Sequence, residues 1–338
     1  MLRYALSAVC ALAALLASRA APADELKLIM TTIAQPTSPV GQQTYHEWAD
    51  RINAQGKGVV QIDVRDGFAL ASSTNFYDRL LSDVMQISFG SLNYLAGKFK
   101  LSEVIALPFV MNSAEQESVV FWRLYKTGML DSEFDQIVPL FFQAFPPVSM
   151  HLVKAPTKPL EDISGLKFIA SGKIPTEVVQ KLGGSPLSIG LTDSYQALQR
   201  GTADGIDFPM AALPDFKLDE VTSYHITAAF GGGPGGVWMA KAKFNALPDD
   251  VKKILMDNSG EAQSRRAGQI LDNLGTKVRD DLTHKAGQTV VALSAEQNKK
   301  WGAALSQIAE EWGKTDDAHR QVLAKTRELA AQVETTAH

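Results

Sequence analysis

Residues 161–209 read EDISGLKFIASGKIPTEVVQKLGGSPLSIGLTDSYQALQRGTADGIDFP, and this stretch decides the fold. Its residues 166–170 (LKFIA) form a short apolar run that predicts a buried strand. Gly172 frees the turn behind it, and Pro175 sits where a first helical residue belongs. Gly183 stops that helix. Residues 186–189 predict a second strand, and Thr192 or Asp193 caps a second helix that Gly201 ends. Residues 205–208 predict a third strand, stopped by Pro209. The order is βαβαβ. Two helices on three near-parallel strands bring several strand C-termini to one edge, where open α/β sheets bind ligands.

The same alternation extends upstream. Residues 26–32 (LKLIMTT) predict a strand, and 44–54 a helix with Tyr45, Trp48, Ala49 and Ile52 on one face. Residues 59–64 (VVQIDV) alternate as a second strand. A helix over 76–81, a strand over 85–89 ending at Gly90-Ser91, a Leu107-Pro108-Phe109 corner and a helix over 113–125 follow. Further on, residues 141–154 hold two extended stretches around Pro146-Pro147, the second crossing into another lobe, and 237–241 (VWMAK) return. From Pro248 to about Leu274 the chain has helical character throughout, ~25 residues or ~38 Å, enough to run along both lobes. A short strand at Val290-Val291 and two helices over 294–315 and 317–333 end the chain.

These pieces resemble the solute-binding proteins of TRAP transporters, the DctP-like family. The resemblance rests on Gly165-Leu166-Lys167, Leu182-Gly183-Gly184-Ser185-Pro186, Ala197-Leu198-Gln199-Arg200-Gly201 and Asp204-Gly205 ending in Pro209, all without gaps. It extends to Ser38-Pro39-Val40-Gly41, to Leu107-Pro108-Phe109 and to the Leu247-Pro248 helix start. It implies an α/β chain of two lobes with an interlobe ligand cleft and a long helix spanning both. The expected division is a signal peptide over 1–23, lobe I over 24–147 with 236–275, and lobe II over 148–235 with 276–338.

Composition agrees with export. A basic start (Met1-Leu2-Arg3), an apolar run over 5–17 and Ala21-Pro22-Ala23 have the three parts of a secretory signal, cleaved near Ala23. Cys10, the one cysteine, falls inside it, so the mature chain has none, which suits a bacterial periplasm without disulfides. Removing Arg3 and Arg19 leaves 31 basic against 37 acidic side chains, a net of −6, which disfavours nucleic acid. Roughly 315 residues suit two lobes and a monomer.

Enzyme signatures are scarce. Gly231-x-Gly233-x-x-Gly236 fits the dinucleotide pattern in letters only: it contains Pro234 and leads into apolar VWM, not a helix. A crossing between lobes explains it better. The six histidines lack metal-ligand spacing, no nucleophile elbow exists, and Asp204 and Asp207 flank a glycine as turn residues do. No metal, no cofactor and no reaction are expected.

The family carries an Arg in this strand whose fork takes a substrate carboxylate; here the position is Ile169. Two explanations stand open: Lys173 supplies a point charge, or the ligand has no carboxylate. With Phe145, Phe208 and Trp238, Ile169 would form a hydrophobic wall suited to an apolar-bodied or aromatic ligand. Polar candidates at loop ends are Gln35, Ser73, Asn75, Ser91, Asn93, Gln143, Ser171 and Asp207. An unpaired Asp207 facing the cleft would favour a cationic or hydroxylated ligand. The expectation is a periplasmic receptor that binds a small organic solute, organic acids leading, and delivers it to the small and large permease subunits of a TRAP transporter. A receptor for an ATP-driven importer or a sensor, and an enzyme on the same fold, are the alternatives.

Overall fold

Alternate burial along Leu26–Thr31 (β1) and Val60–Arg65 (β2) makes them a parallel pair, Leu26 opposite Val60 and Thr31 opposite Arg65. The chain between them turns through a π-helical segment, Gly41–His46, into the helix Glu47–Gln55, which buries Trp48, Ala49 and Ile52 on the sheet. Ile87–Ser91 (β3) pairs with the other side of β1, Ile137–Phe142 (β4) lies at the far edge, and the sheet runs β2-β1-β3-β10-β4. Its returning strand, Gly235–Ala240 (β10), is antiparallel to both β3 and β4 and buried throughout. Pro139, which donates no ladder hydrogen bond, is tolerated because β4 is an edge strand. The computed structural model describes residues 25–67, 69–95, 97–156 and 163–333; the expected signal peptide, Cys10 and Glu161 lie outside them.

The decisive stretch forms the heart of a second sheet. Lys167–Ile169 (β6), Ser185–Leu187 (β7) and Gly205–Phe208 (β8) are mutually parallel, with β6 between the other two. Ser149–Leu152 (β5), Tyr224–Thr227 (β9) and Thr289–Ala292 (β11) complete the order β11-β9-β5-β8-β6-β7. The connecting helices are Lys173–Lys181 and Leu191–Gln199. Gly183 and Gly201 have positive φ just beyond them, as helix-ending glycines do. The starts differ from expectation. The first helix begins at Lys173, two residues before Pro175, and Gly190 precedes the second, with the Ser194 hydroxyl donating to its carbonyl at 3.1 Å. Thr192 and Asp193 lie inside that helix and do not cap it.

Two extended segments join the sheets side by side. The amides of Gln143, Phe145 and Val148 each donate at 2.9 Å to the carbonyls of Gly235, Gly233 and Gly231. This ladder explains the glycine run. A Cβ at Gly232 would stand 2.2 Å from the Phe145 carbonyl oxygen, and one at Gly231 2.1 Å from that of Ala106. The run is a close backbone crossing, with no room for a phosphate.

The helix expected from Pro248 to about Leu274 is two helices. Asp249–Asp257 ends where Ser259 turns extended and Gly260 adopts positive φ, and Gly260–His284 continues ten residues past Leu274. That 25-residue helix spans ~38 Å and meets β4 of the first sheet and β11 of the second. Helices Ala295–Gly313, with a Ser294/Gln297 capping box, and Asp317–Gln332 close the chain; the latter packs on helix Ala114–Lys126.

Candidate functional site

Sheet order decides which loops meet. In the first sheet the chain reverses direction of growth between β1 and β3, so the loops after those strands flank the switch point. In the second, β6 and β8 occupy the corresponding centre. Between the two sets lies a cleft with about 110 Å3 open to the centre of a water molecule. One water needs ~10–15 Å3 on that measure, so the space suits a solute about the size of one ring.

Its walls are mostly apolar. Ile33, Phe89 and Val40 come from the first half, Phe145 from the crossing, and Ile169, Leu191, Phe208 and Phe216 from the second. The rings meet edge to face: Phe89–Phe145 with centroids 6.0 Å apart and Phe208–Phe216 5.6 Å apart. Leu271 of the long helix closes one side.

The polar groups form three corners. In one, the Tyr45 phenol lies beside the Gln143 side chain, and burial pushes it well above its usual value, with the charge of Asp215 adding to the rise. Gln143 is fully buried, and neither atom of its amide has a partner at hydrogen-bond geometry. In the second, Tyr94 meets Ser171, one from each half; burial raises the Tyr94 phenol against that contact. In the third, Asp207 ends β8 with Oδ1 shut from solvent and without a partner, and burial pushes its carboxyl up to about 8. Asp215, from the short helical turn Pro214–Phe216, accepts a hydrogen bond from the Ser38 hydroxyl across the cleft; burial raises its carboxyl and that bond lowers it. No Lys, Arg or His lines the cleft among the described residues.

The structure therefore brings together Ser91, Asn93, Gln143, Phe145, Ile169, Ser171, Asp207 and Phe208. It leaves out others. Trp238 is fully buried in the first sheet, stacked near Phe142 and Phe134, with Nε1 donating to the Gly90 carbonyl at 3.1 Å. β10 has both faces covered, so strand alternation gave no clue to its side. Lys173 turns outward beyond Gly172 and reaches Glu103 at 3.9 Å, not the cleft. Ser73 and Asn75 follow β2, the edge strand beside β1, and do not line the cleft; the Asn75 side chain accepts from the Ser72 amide at 2.7 Å at the start of helix Phe76–Leu81. Gln35 stands just beyond Ala34, outside the lining, its carbonyl accepting from the Ser38 amide. Sequence reasoning did not name Tyr94 and Asp215, which line the cleft; Tyr45 packs in the core with Trp48, Ala49 and Ile52 as expected and also lines the cleft. The one available signal was a phenol where an apolar stripe needs only a ring.

No group of three or more His, Cys, Asp and Glu among the described residues is placed to hold a metal ion.

Comparison with known proteins agrees with this architecture. The family model for bacterial extracellular solute-binding proteins of family 7, DctP, matches residues 30–315. A protein of Comamonas testosteroni named outer membrane transporter protein TsaT is 26% identical over 274 residues, 79% of each chain. A TRAP solute-binding protein from Rhodoferax ferrireducens, crystallised with copurified benzoate, superposes with a TM-score of 0.84 at 27% identity, covering 91% of this chain and 98% of its own. A marine metagenome TRAP solute-binding protein described as specific for aromatic acid ligands shares the fold with a TM-score of 0.86 at 23% identity, over 93% of this chain and all of its own. With two α/β sheets, a backbone crossing between them and a cleft at the strand ends, the chain belongs to family 7 of the bacterial extracellular solute-binding proteins, the receptors of TRAP transporters.

Proposed function

We propose that this protein captures a small, one-ring organic solute in the cleft between β3 and β6/β8 and carries it through the periplasm, as a monomer, to the small and large membrane subunits of a TRAP permease. The observation that carries the reading is the cleft itself: an apolar, aromatic-walled space of single-ring size at the strand ends of both sheets. That the Rhodoferax ferrireducens relative holds benzoate supports the size and the aromatic character of the solute. The protein performs no reaction in this account; its family are transport receptors. The lobe boundaries expected from sequence belong to the proposal too, with the ladder through Gln143, Phe145 and Val148 as the hinge.

The test is a thermal-shift screen of protein stripped of ligand by unfolding and refolding. One-ring aromatic solutes at about 100 times Kd should stabilise it by ~2.7 kcal/mol, seen as a rise of several degrees in Tm. Linear C4-dicarboxylates should give no shift. Stabilisation by the dicarboxylates, with none by any ring compound, refutes the reading.

A further inference from the structure

The cleft has a charge inventory that the usual acid-binding arrangement lacks. Two carboxyl groups, Asp207 and Asp215, line it, and no cationic side chain does among the described residues. Ile169 occupies the strand end where a guanidinium fork would stand, and it is 2% exposed in an apolar cluster with Ile206 and Leu198. The nearest candidate for a replacement charge, Lys173, is turned to Glu103. A carboxylate seated here would find no counter-ion and two carboxyl groups beside it.

The Gln143 amide is unpartnered in the same cleft, and Asp207 is the carboxyl with an unspent acceptor. Its Oδ1 has neither solvent nor a hydrogen-bond partner, whereas Asp215 already accepts from Ser38. The rings of Phe208, Phe216, Phe89 and Phe145 line the same cleft in two edge-to-face pairs. Ring faces carry negative charge density and attract cations, and the attraction grows when water is excluded.

We infer that the solute is a protonated amine on an apolar, ring-sized body, its ammonium donating to Asp207, and that Ile169 and Asp207 together select against carboxylates. The inference rests on the solute-receptor reading and narrows its ligand class. The ammonium supplies the donor that Asp207 lacks and the charge that balances the cleft. Protons balance as follows: Asp207, protonated in the unliganded cleft near neutral pH, gives up one proton to solvent when the ammonium binds. Affinity for the amine therefore rises with pH until Asp207 is ionised in the free protein, about tenfold per unit below that point. Other groups that face Asp207 are accounted for. Tyr45 and Tyr94 are raised by burial and stay protonated. His151, behind β8 on β5, is lowered to about 3 by burial and stays neutral. Asp215 is the other carboxyl of the cleft that burial raises.

The experiment uses four matched probes, benzylamine, benzyl alcohol, benzamide and benzoate, titrated calorimetrically into the stripped protein between about pH 6 and 8. Benzylamine should bind at least ~10-fold tighter than the neutral pair and ~100-fold tighter than benzoate, its affinity rising with pH and one proton being released. Asp207→Asn should abolish the amine preference, and Ile169→Arg should bring benzoate up at least ~10-fold. Benzoate binding more tightly than benzylamine, and weakening as pH rises, overturns the inference while leaving the receptor reading intact. Equal affinity for amine and amide overturns it as well. Silence from all four overturns it too, and the wider ring screen then decides the receptor reading separately. Should Asp207→Asn fail to fold, the pH profile and proton release of the unaltered protein decide alone.

Discussion

Asp207→Asn should make the unliganded protein more stable, by an amount that depends on pH in a fixed direction. Burial lifts the Asp207 carboxyl from an ordinary 3.8 to about 8 in the folded chain. The folded state therefore holds its proton where the unfolded state has lost it. Stability from this group is intact below about pH 4, falls as pH rises through the interval, and levels off above about pH 8. At 1.36 kcal/mol per unit, a fully shielded group would cost about 4 kcal/mol at pH 7. Oδ1 is shut from solvent, but the residue as a whole keeps partial contact with the cleft, and water there screens the charge. About half, ~2 kcal/mol, is the working magnitude. Asn keeps the shape and removes the titration. In urea unfolding of stripped protein, the variant should match the wild type near pH 4, then gain on it progressively, by ~2 kcal/mol at pH 7. The Tm difference at pH 7 should be ~3 °C for a chain of this length. A variant less stable than wild type at pH 7, or a gap that shrinks as pH rises, refutes the view of Asp207 as a buried carboxyl without a partner.

Further substitutions check the remaining architecture. Glu117→Gln should gain on the wild type from pH 5 to pH 8 by the same sign of linkage, because burial, with Asp272 adding, holds its carboxyl well above the ordinary 4.5; thermal melts at both pH values read it. Gly232→Ala should lower Tm by more than ~5 °C and weaken solute binding, since its Cβ must displace the Phe145 carbonyl of the hinge ladder; calorimetry and melts measure both. Trp238→Phe should cost ~1–2 kcal/mol through the lost hydrogen bond to Gly90, with solute affinity unchanged; a large loss of affinity would return Trp238 to the cleft.

The βαβαβ unit was legible because glycine and proline punctuate it. Gly183 and Gly201 end helices at positive φ, and Pro209 stops β8, so its borders are set by local backbone chemistry. The helix break was overlooked although it has a local cause. Residues 248–274 carry helical periodicity on both sides of it, but Gly260 adopts positive φ there, and the Trp48 indole donates to the Asn258 carbonyl at 2.9 Å. Cleft lining was legible where it followed strand ends in the decisive stretch, at Ile169, Ser171, Asp207 and Phe208. It failed for Ser73 and Asn75 because whether a strand is central or at the edge is a property of pairing, and β2 pairs only on one side. It failed for Asp215 because the short turns after β8 have no periodicity to place them against Ser38, 177 residues earlier.

In the proposed receptor, the polar atoms of the cleft would also couple binding to closure. Ser38 reaches Asp215, Tyr94 meets Ser171 and Lys173 approaches Glu103, each pair drawn from opposite sides of the cleft. These contacts belong to a shut arrangement. In this arrangement the Gln143 amide and Asp207 Oδ1 are shut from solvent without a partner at hydrogen-bond geometry. Each stranded group costs ~1–3 kcal/mol, enough to offset the modest net gain of the cross-cleft hydrogen bonds. A solute that satisfies Asp207 and Gln143 removes that cost only in the shut state, so its binding energy falls on one side of the open–shut equilibrium. Receptor closure is thereby made to depend on the chemistry of the ligand's polar end, and a ring that fills the apolar wall without a matching group would bind without shutting the cleft.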